Sequence, residues 1–165
     1  MIGSAAIEKA IVALWSSSGL DTLLKSYWTV ADRDKFLTLI ADMGEGDHPF
    51  PYCILQLEKP TQSSQSSDGN ETLRTLWDVP LTLRVHTKKI VNGPSARAVA
   101  ATLMDEIAKV YGGHQTVKSQ LVGIQLDHGH ILGSQFLGDF AIREDLENVA
   151  WQLQYNLQTD VPAAQ

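Results

Sequence analysis

The strongest constraint on this chain is the stretch Val149-Ala150-Trp151-Gln152-Leu153-Gln154-Tyr155-Asn156-Leu157-Gln158-Thr159. Its odd positions are apolar or Thr, and its even positions from Gln152 onward are uncharged amides. Successive side chains of a strand point to opposite faces, so this period of two describes one strand with an apolar face and a wet amide face. The same period runs through Trp77-Asp78-Val79-Pro80-Leu81-Thr82-Leu83-Arg84-Val85-His86. Two such segments require a sheet that is packed on one side and open on the other.

With 165 residues, of which 44% are hydrophobic and 19% charged, the chain can bury a core without metal or disulfide staples, and we expect one domain over residues 1–165. A formal charge of -6 and a pI near 5.2 argue against a sequence-independent nucleic-acid binder, whose affinity comes from clustered Lys and Arg. The longest basic run is Lys88-Lys89. Cys53 is the single cysteine, which excludes an internal disulfide, fits a reducing compartment and, within Pro51-Tyr52-Cys53-Ile54-Leu55, reads as a small buried hydrophobe. The amino-terminal segment has no basic run before its apolar residues and is not expected to be a signal peptide. No run approaches the roughly 18 apolar residues of a membrane span, so a soluble protein is expected.

Along the chain, Ile7, Ala10, Ile11, Leu14 and Trp15 recur at helical spacing from a possible N-cap at Ser4 to Ser16-Ser17-Ser18-Gly19, and a second short helix is expected over 20–27. Phe36, Leu37, Leu39 and Ile40 fit a strand or a short helix equally, and 44–51 is a loop. A strand is expected over 52–59, ended by Pro60. The polar run Thr61 to Asn70 is then read as a mobile hairpin tip, with a flexible loop over about 60–72. Its partner strand spans 73–88, with Pro80 demanding an edge, a bulge or a break. After Asn92-Gly93-Pro94, a stripe of Ala96, Val99, Ala100, Leu103, Ile107, Val110 and Tyr111 predicts the best helix, stopped by Gly112-Gly113. Strands over 121–127 and 130–136 flank a turn at His128-Gly129, and the strand from Val149 closes the domain, with a disordered tail at 161–165. This order predicts an α+β fold: a mainly antiparallel sheet of four to five strands with two main helices packed on one face.

Groups that could carry chemistry are sparse. Asp127-His128-Gly129-His130, with His114 or His86, is the one local set of metal-ligand residue types, and His128 and His130 are its weak candidates. Gly129 between them favours an exposed turn instead. Asp139, Glu144, Asp145 and Glu147 lack the calcium-loop pattern and read as a solvated connection before the last strand. Cys53 has no Gly-rich elbow or helix N-terminus to activate it, and Gly112-Gly113 follows a helix where a phosphate cradle would precede one. Trp15, Trp77 and Trp151 sit in phase with apolar stripes and are expected in the core, while Trp28 sits in none. The expectation is no catalytic residue, no metal and no cofactor.

The order of elements resembles the tail-completion proteins of long-tailed bacteriophages and prophages, which include tail terminators and head-tail joining proteins. The likeness spans about residues 4–160. It rests on an N-terminal helix, the start of a strand at His48-Pro49-Phe50-Pro51-Tyr52-Cys53-Ile54-Leu55, a variable polar loop, the strand Val79 to Thr87, a helix with Ala96, Ala98, Ala100, Leu103 and Ile107, and Glu144-Asp145 ahead of an aromatic-bearing last strand. Thr29 to Gly46 is longer than the spacer such proteins show.

The resemblance implies a non-enzymatic subunit of a homo-oligomeric ring, usually a hexamer. Such a ring sits at the head-proximal end of the tail tube and contacts the tube and the head connector in the virion, after assembly in the host cytoplasm. Candidate interface residues are Ser63, Ser64, Gln65, Ser66 and Ser67 as a contact arm, and Gln152, Gln154, Asn156 and Gln158 as an interface or lumen surface. A head-tail joining, neck or minor tail protein, and a stand-alone bacterial ligand-binding or adaptor domain, are the alternatives.

Overall fold

The computed structural model describes residues 4–41, 48–67, 73–113 and 118–162. In chain order the elements are α1 (Ser4–Ser17), α2 (Leu20–Ser26), a 3-10 turn (Arg33–Lys35), β1 (Leu39–Ile40), β2 (Tyr52–Leu57), β3 (Thr61–Ser67), β4 (Leu73–Lys88), α3 (Ala96–Tyr111), β5 (Gln125–Leu126), β6 (Gly129–Glu144) and β7 (Asn148–Pro162). The fold is α+β. Among the described residues the sheet is larger than expected, with seven strands in the order β1-β2-β4-β7-β6-β5 and β3 beside β4. It is mixed, because β1 runs parallel to β2 while the other pairs are antiparallel. Among the described residues there are three α-helices: the two main ones, α1 and α3, and the short helix expected over 20–27, which is α2.

β4 and β7 form the spine, paired without a register break from Arg74↔Pro162 to Lys88↔Asn148. Their alternation works as the sequence demands: Val79, Leu81, Leu83 and Val85 of β4 and Leu153, Tyr155 and Leu157 of β7 are buried in one cluster with Ile7, Ile11, Leu103 and Ile107 of the helices. Fully burying a side chain of this size contributes about 1.5–3 kcal/mol, so this layer dominates the fold's stability. α3 begins where Ser95 Oγ accepts the Ala98 amide at 3.1 Å and ends at Gly112 with φ 106°, a conformation that suits glycine. Two phenols tie the layer together. Tyr111 donates to the Ile11 carbonyl at 2.7 Å, and Tyr155 donates to the Gly112 carbonyl at 2.6 Å.

Pro80 lies mid-strand without harm to the ladder. Its carbonyl accepts the Glu58 amide at 3.0 Å, so its nitrogen also points toward that edge, where β2 has ended at Leu57 and β3 has not begun. The break expected from Pro80 falls in the neighbouring strand.

Several expectations need correction. Thr61 to Ser67 is not a mobile tip but strand β3, registered from Thr61↔Asp78 to Ser67↔Leu73. Pairing requires backbone groups and not apolar side chains, so a polar run can extend a hairpin edge. Residues 68–72 lie outside the described residues, as do 44–47 of the expected loop and 163–165 of the expected tail; Val161 and Pro162 belong to β7. Residues 120–123 form a turn, and the strand expected over 121–127 shrinks to Gln125–Leu126. β6 continues eight residues past Phe136, so Asp139 and Glu144 are strand residues and the connection is only 145–147.

The ambiguous stretch 29–41 contains both a 3-10 turn and β1. A polar relay anchors it: Trp15 Nε1 donates to Thr38 Oγ1 at 2.9 Å, and Thr38 Oγ1 donates to Asp21 Oδ1 at 2.5 Å. The Cys53 amide donates to the Thr38 carbonyl at 2.7 Å.

Candidate interaction surface

Residues paired across a ladder share a face, so the register defines the surface opposite the helices row by row. One row is Tyr52, His86, Ala150 and Arg143. The next is Ile54, Arg84, Gln152 and Phe140. Then come Gln56, Thr82, Gln154 and Gly138, and after them Pro80, Asn156 and Gln135. The last is Thr61, Asp78, Gln158 and Gly133. Amides thus occupy the centre of the face, with cationic and aromatic groups at one end.

The four amides expected on this face differ in access. Gln158 is exposed, Gln154 and Asn156 are half-buried, and Gln152 is only 5% exposed, so it is not a free contact residue. Gln152 Oε1 accepts Arg84 Nη2 at 3.3 Å, which turns it into a support for that guanidinium. Asn156 Nδ2 donates to Asp78 Oδ1 at 3.2 Å. Asp78, Gly133, Ser134, Gln135, Asn156 and Gln158 line a recess of about 300 Å³. Ligand pockets are mostly apolar with a few convergent polar groups, and this lining is polar almost throughout.

At the cationic end, Tyr52 stacks on His86 with ring centroids 5.0 Å apart and planes 10° apart, Phe50 lies 5.0 Å from Tyr52, and Lys88 Nζ sits 5.8 Å over the Phe50 ring. Burial, reinforced by the Arg84 charge, pulls the His86 pKa below its ordinary value and favours the neutral imidazole. Among the described residues, Arg84 Nε and His86 Nε2 are buried polar atoms without a hydrogen-bond partner. Each such atom costs about 1–3 kcal/mol that a docked polar group would recover.

Of the proposed arm, Ser63 is exposed and donates to the Leu76 carbonyl at 3.1 Å. Ser64, Gln65, Ser66 and Ser67 are placed by their β3 register opposite Leu76, Thr75, Arg74 and Leu73. The arm and the amide row therefore belong to one sheet but lie on different strands, and the structure does not merge them into one cluster.

The weak metal candidates are separated by their hairpin. Asp127 and His128 form its two-residue turn, while His130 is on β6 with Nδ1 3.8 Å from Asp160 Oδ1. His86 belongs to the Tyr52 stack, and His114 lies outside the described residues. Among the described residues no three His, Cys, Asp or Glu side chains gather as metal ligands. Cys53 is fully buried, and desolvation pushes its thiol well up. Trp15 and Trp28 are buried, while Trp77 and Trp151 are half-buried. Trp28 Nε1 donates to the Pro51 carbonyl at 2.8 Å.

Sequence reasoning missed the most unusual surface, which is β6. Its register against β7 slips by one residue between Ile131 and Gly133, between Phe136 and Gly138, and between Ala141 and Arg143. The extra residues are Leu132, Leu137 and Ile142, which are 44%, 55% and 47% exposed. Five residues of β6 thus span four of β7, and each bulge restores the phase, so Ile131, Phe136 and Ala141 all stay opposite the core-facing Thr159, Tyr155 and Trp151. The sequence does hold a signal: Leu132-Gly133, Leu137-Gly138 and Ile142-Arg143 recur every five residues.

No known family model matches this chain, and no curated protein matches it. No helix among the described residues is long and apolar enough to cross a membrane.

Proposed function

We propose that this chain is a structural subunit of a long-tailed phage or prophage virion: a tail-completion protein of the terminator type. In this role it joins other copies in a ring, of six by preference, at the head-proximal end of the tail tube, and presents a docking surface to the head connector. The observation that carries the reading is the open sheet face. Helices cover one side, while the other bears an amide row with buried, unpartnered polar atoms of Arg84 and His86 beside it. A surface of this kind suits a permanent polar contact better than free solvent. The -6 charge suits a ring whose lumen lets DNA pass without gripping it. The role needs no catalytic residue, metal or cofactor, and it places the protein in the tail or neck after assembly in the host cytoplasm.

Light scattering across a concentration series, alone and with purified tail tubes, tests this. A closed species near six times 18.1 kDa, or protein capping one end of the tubes in electron micrographs, is the expected result. A protein that stays monomeric and leaves tubes uncapped would overturn the reading. Capping of connectors in place of tubes would reassign it to head-tail joining.

A further inference from the structure

Arg84, His86 and Lys88 occupy successive open-face positions of β4, alternating with Val85 and Thr87, which are buried toward the helices. The two cations of this row are not answered from within the chain. Arg97 and Arg143 have side chains 71% and 65% exposed, yet they pair with Glu144 and Asp145. Arg84 is half-buried and, among the described residues, pairs with no carboxylate. Its guanidinium donates to the neutral amide of Gln152, and its Nε has no partner. Folded chains ordinarily do the reverse, leaving exposed cations to water and pairing the less exposed ones, because desolvation makes an unanswered charge costly. Lys88 is exposed and meets the Phe50 ring at 5.8 Å, again with no carboxylate.

The surroundings of this row are aromatic. Phe50 and Phe140 are 36% and 45% exposed and lie on either side of β4, Phe140 in the row of Arg84 and Phe50 beside the Tyr52–His86 stack. The acid on the same face of β4, Asp78, is about 20 Å along the strand from Arg84 and is bonded to Asn156.

We propose that this end of the open face docks an acidic segment of another virion protein: an extended stretch with two carboxylates four residues apart and an apolar or aromatic residue midway. The strand rise puts Arg84 and Lys88 about 14 Å apart, and an extended segment laid along β4 spaces its residues i and i+4 by the same distance. One carboxylate takes the fork of Arg84, the other takes the Lys88 ammonium, and the middle side chain covers the Tyr52–His86 stack. DNA is a poorer match, because two unpaired cations release too few counterions to hold a polyanion on a chain of charge -6. The proposal rests on the virion reading for the existence of the partner, and it adds the chemistry of the partner's segment.

Fluorescence anisotropy with a labelled, capped peptide Glu-Ala-Phe-Ala-Glu tests the site, with Gln-Ala-Phe-Ala-Gln as control. The parent should bind the acidic peptide saturably below about 1 mM and the control at least about tenfold more weakly. Lys88→Gln alters an exposed side chain, so its urea midpoint should match the parent while its affinity falls about threefold. Arg84→Gln should lose at least about tenfold, and Arg84→Lys, which keeps the charge but not the fork, should fall between the parent and Arg84→Gln. The same variants are then scored for capping of tail tubes and of connectors.

Equal binding of the two peptides, or equal affinity in the parent, Lys88→Gln and Arg84→Lys, would overturn the carboxylate site. Tighter binding of a thymidine oligonucleotide through Arg84 and Lys88 would put nucleic acid in place of the acidic segment. Self-association of the parent that is lost in Lys88→Gln would make a second copy the occupant and overturn the proposal. Capping by the parent and equally by Arg84→Lys with Lys88→Gln would overturn the docking and leave the virion reading standing. A parent that binds the acidic peptide but stays monomeric and caps neither structure would overturn the virion reading and the partner with it, and would leave the carboxylate site.

Discussion

The α-carbon of Gly129 is packed directly against the main chain of Asp160: a Cβ at position 129 would lie 1.7 Å from the Asp160 carbonyl oxygen. Gly129 also has φ 150°. The contact sets where β6 begins beside β7, and the next residue extends it, since the His130 amide donates to Asp160 Oδ1 at 2.9 Å. Gly129→Ala forces the two strands apart at backbone atoms that no rotamer can move. It should lower unfolding free energy by about 3 kcal/mol or more, read from urea midpoints. Gly123→Ala is the control for conformation alone, because it has φ 92° and open space around its Cβ position, and it should cost less.

Tyr155 ties β7 to the end of α3, and Tyr111 ties α3 to α1, each through a single hydrogen bond. Tyr155→Phe leaves the Gly112 carbonyl beyond the end of α3 without its donor, and Tyr111→Phe removes the second acceptor contact at Ile11. Each should cost about 1–2 kcal/mol with little change in volume. Burial pushes both phenol pKa values well above the ordinary range near 10. A pKa raised in the folded state gives stability that is present below the unfolded value and is lost as pH rises past it. An alkaline absorbance titration should therefore show these two phenols ionising only together with unfolding. Reversible ionisation of all four tyrosines near pH 10 in folded protein would contradict that.

The legible parts of the fold are those in which one period holds throughout an element. β7 alternates without a bulge, so its apolar odd positions meet the core as the pattern demands, and α3 carries an unbroken stripe between Ser95 and Gly112. β6 hid for the opposite reason. Each one-residue bulge shifts the alternation, at Leu132, Leu137 and Ile142, so no single period of two runs the length of the strand.

β3 hid because its pairing lies in backbone atoms that Ser, Thr and Gln do not advertise. β1 depends on a relay from Trp15 through Thr38 to Asp21 across 23 and 17 residues, which no local window contains. On the candidate surface, the amide row is written in the sequence. The burial of Gln152 under Arg84 and the stacking of Tyr52 on His86 depend on strand neighbours that are remote in the chain.

His86 predicts an acid-side loss of stability. Burial first, and the Arg84 charge second, depress its pKa in the folded state. The unfolded chain therefore takes up the proton first. The contribution is fully present above about pH 6.5, the ordinary histidine value, and falls as pH drops below it. His86→Gln removes this titration. The urea midpoint of the parent should decline from pH 7.5 to 5.5 more steeply than that of the variant. Parallel declines would show that burial and the Arg84 charge do not hold His86 neutral.

Asp145 governs the turn that joins β6 to β7, at a lower pH. Its Oδ1 accepts the Glu147 amide at 2.9 Å and the Asn148 amide at 2.7 Å, and its Oδ2 accepts Arg143 Nε at 3.0 Å. Those bonds favour the ionised carboxylate, Asn148 first, and hold its pKa below the ordinary aspartate value. The sign is opposite to that of the tyrosines: the contribution is present above the unfolded value near 4 and is lost as pH falls through the lower folded value. Asp145→Ala should thus be less stable than the parent at pH 7, with the gap between their urea midpoints narrowing steadily below pH 4. The site is open to solvent, so added salt should weaken only the Arg143 part and leave the two amide bonds in force. A gap that stays constant from pH 7 to pH 3 would mean that the turn depends on the shape of the side chain and not on its charge.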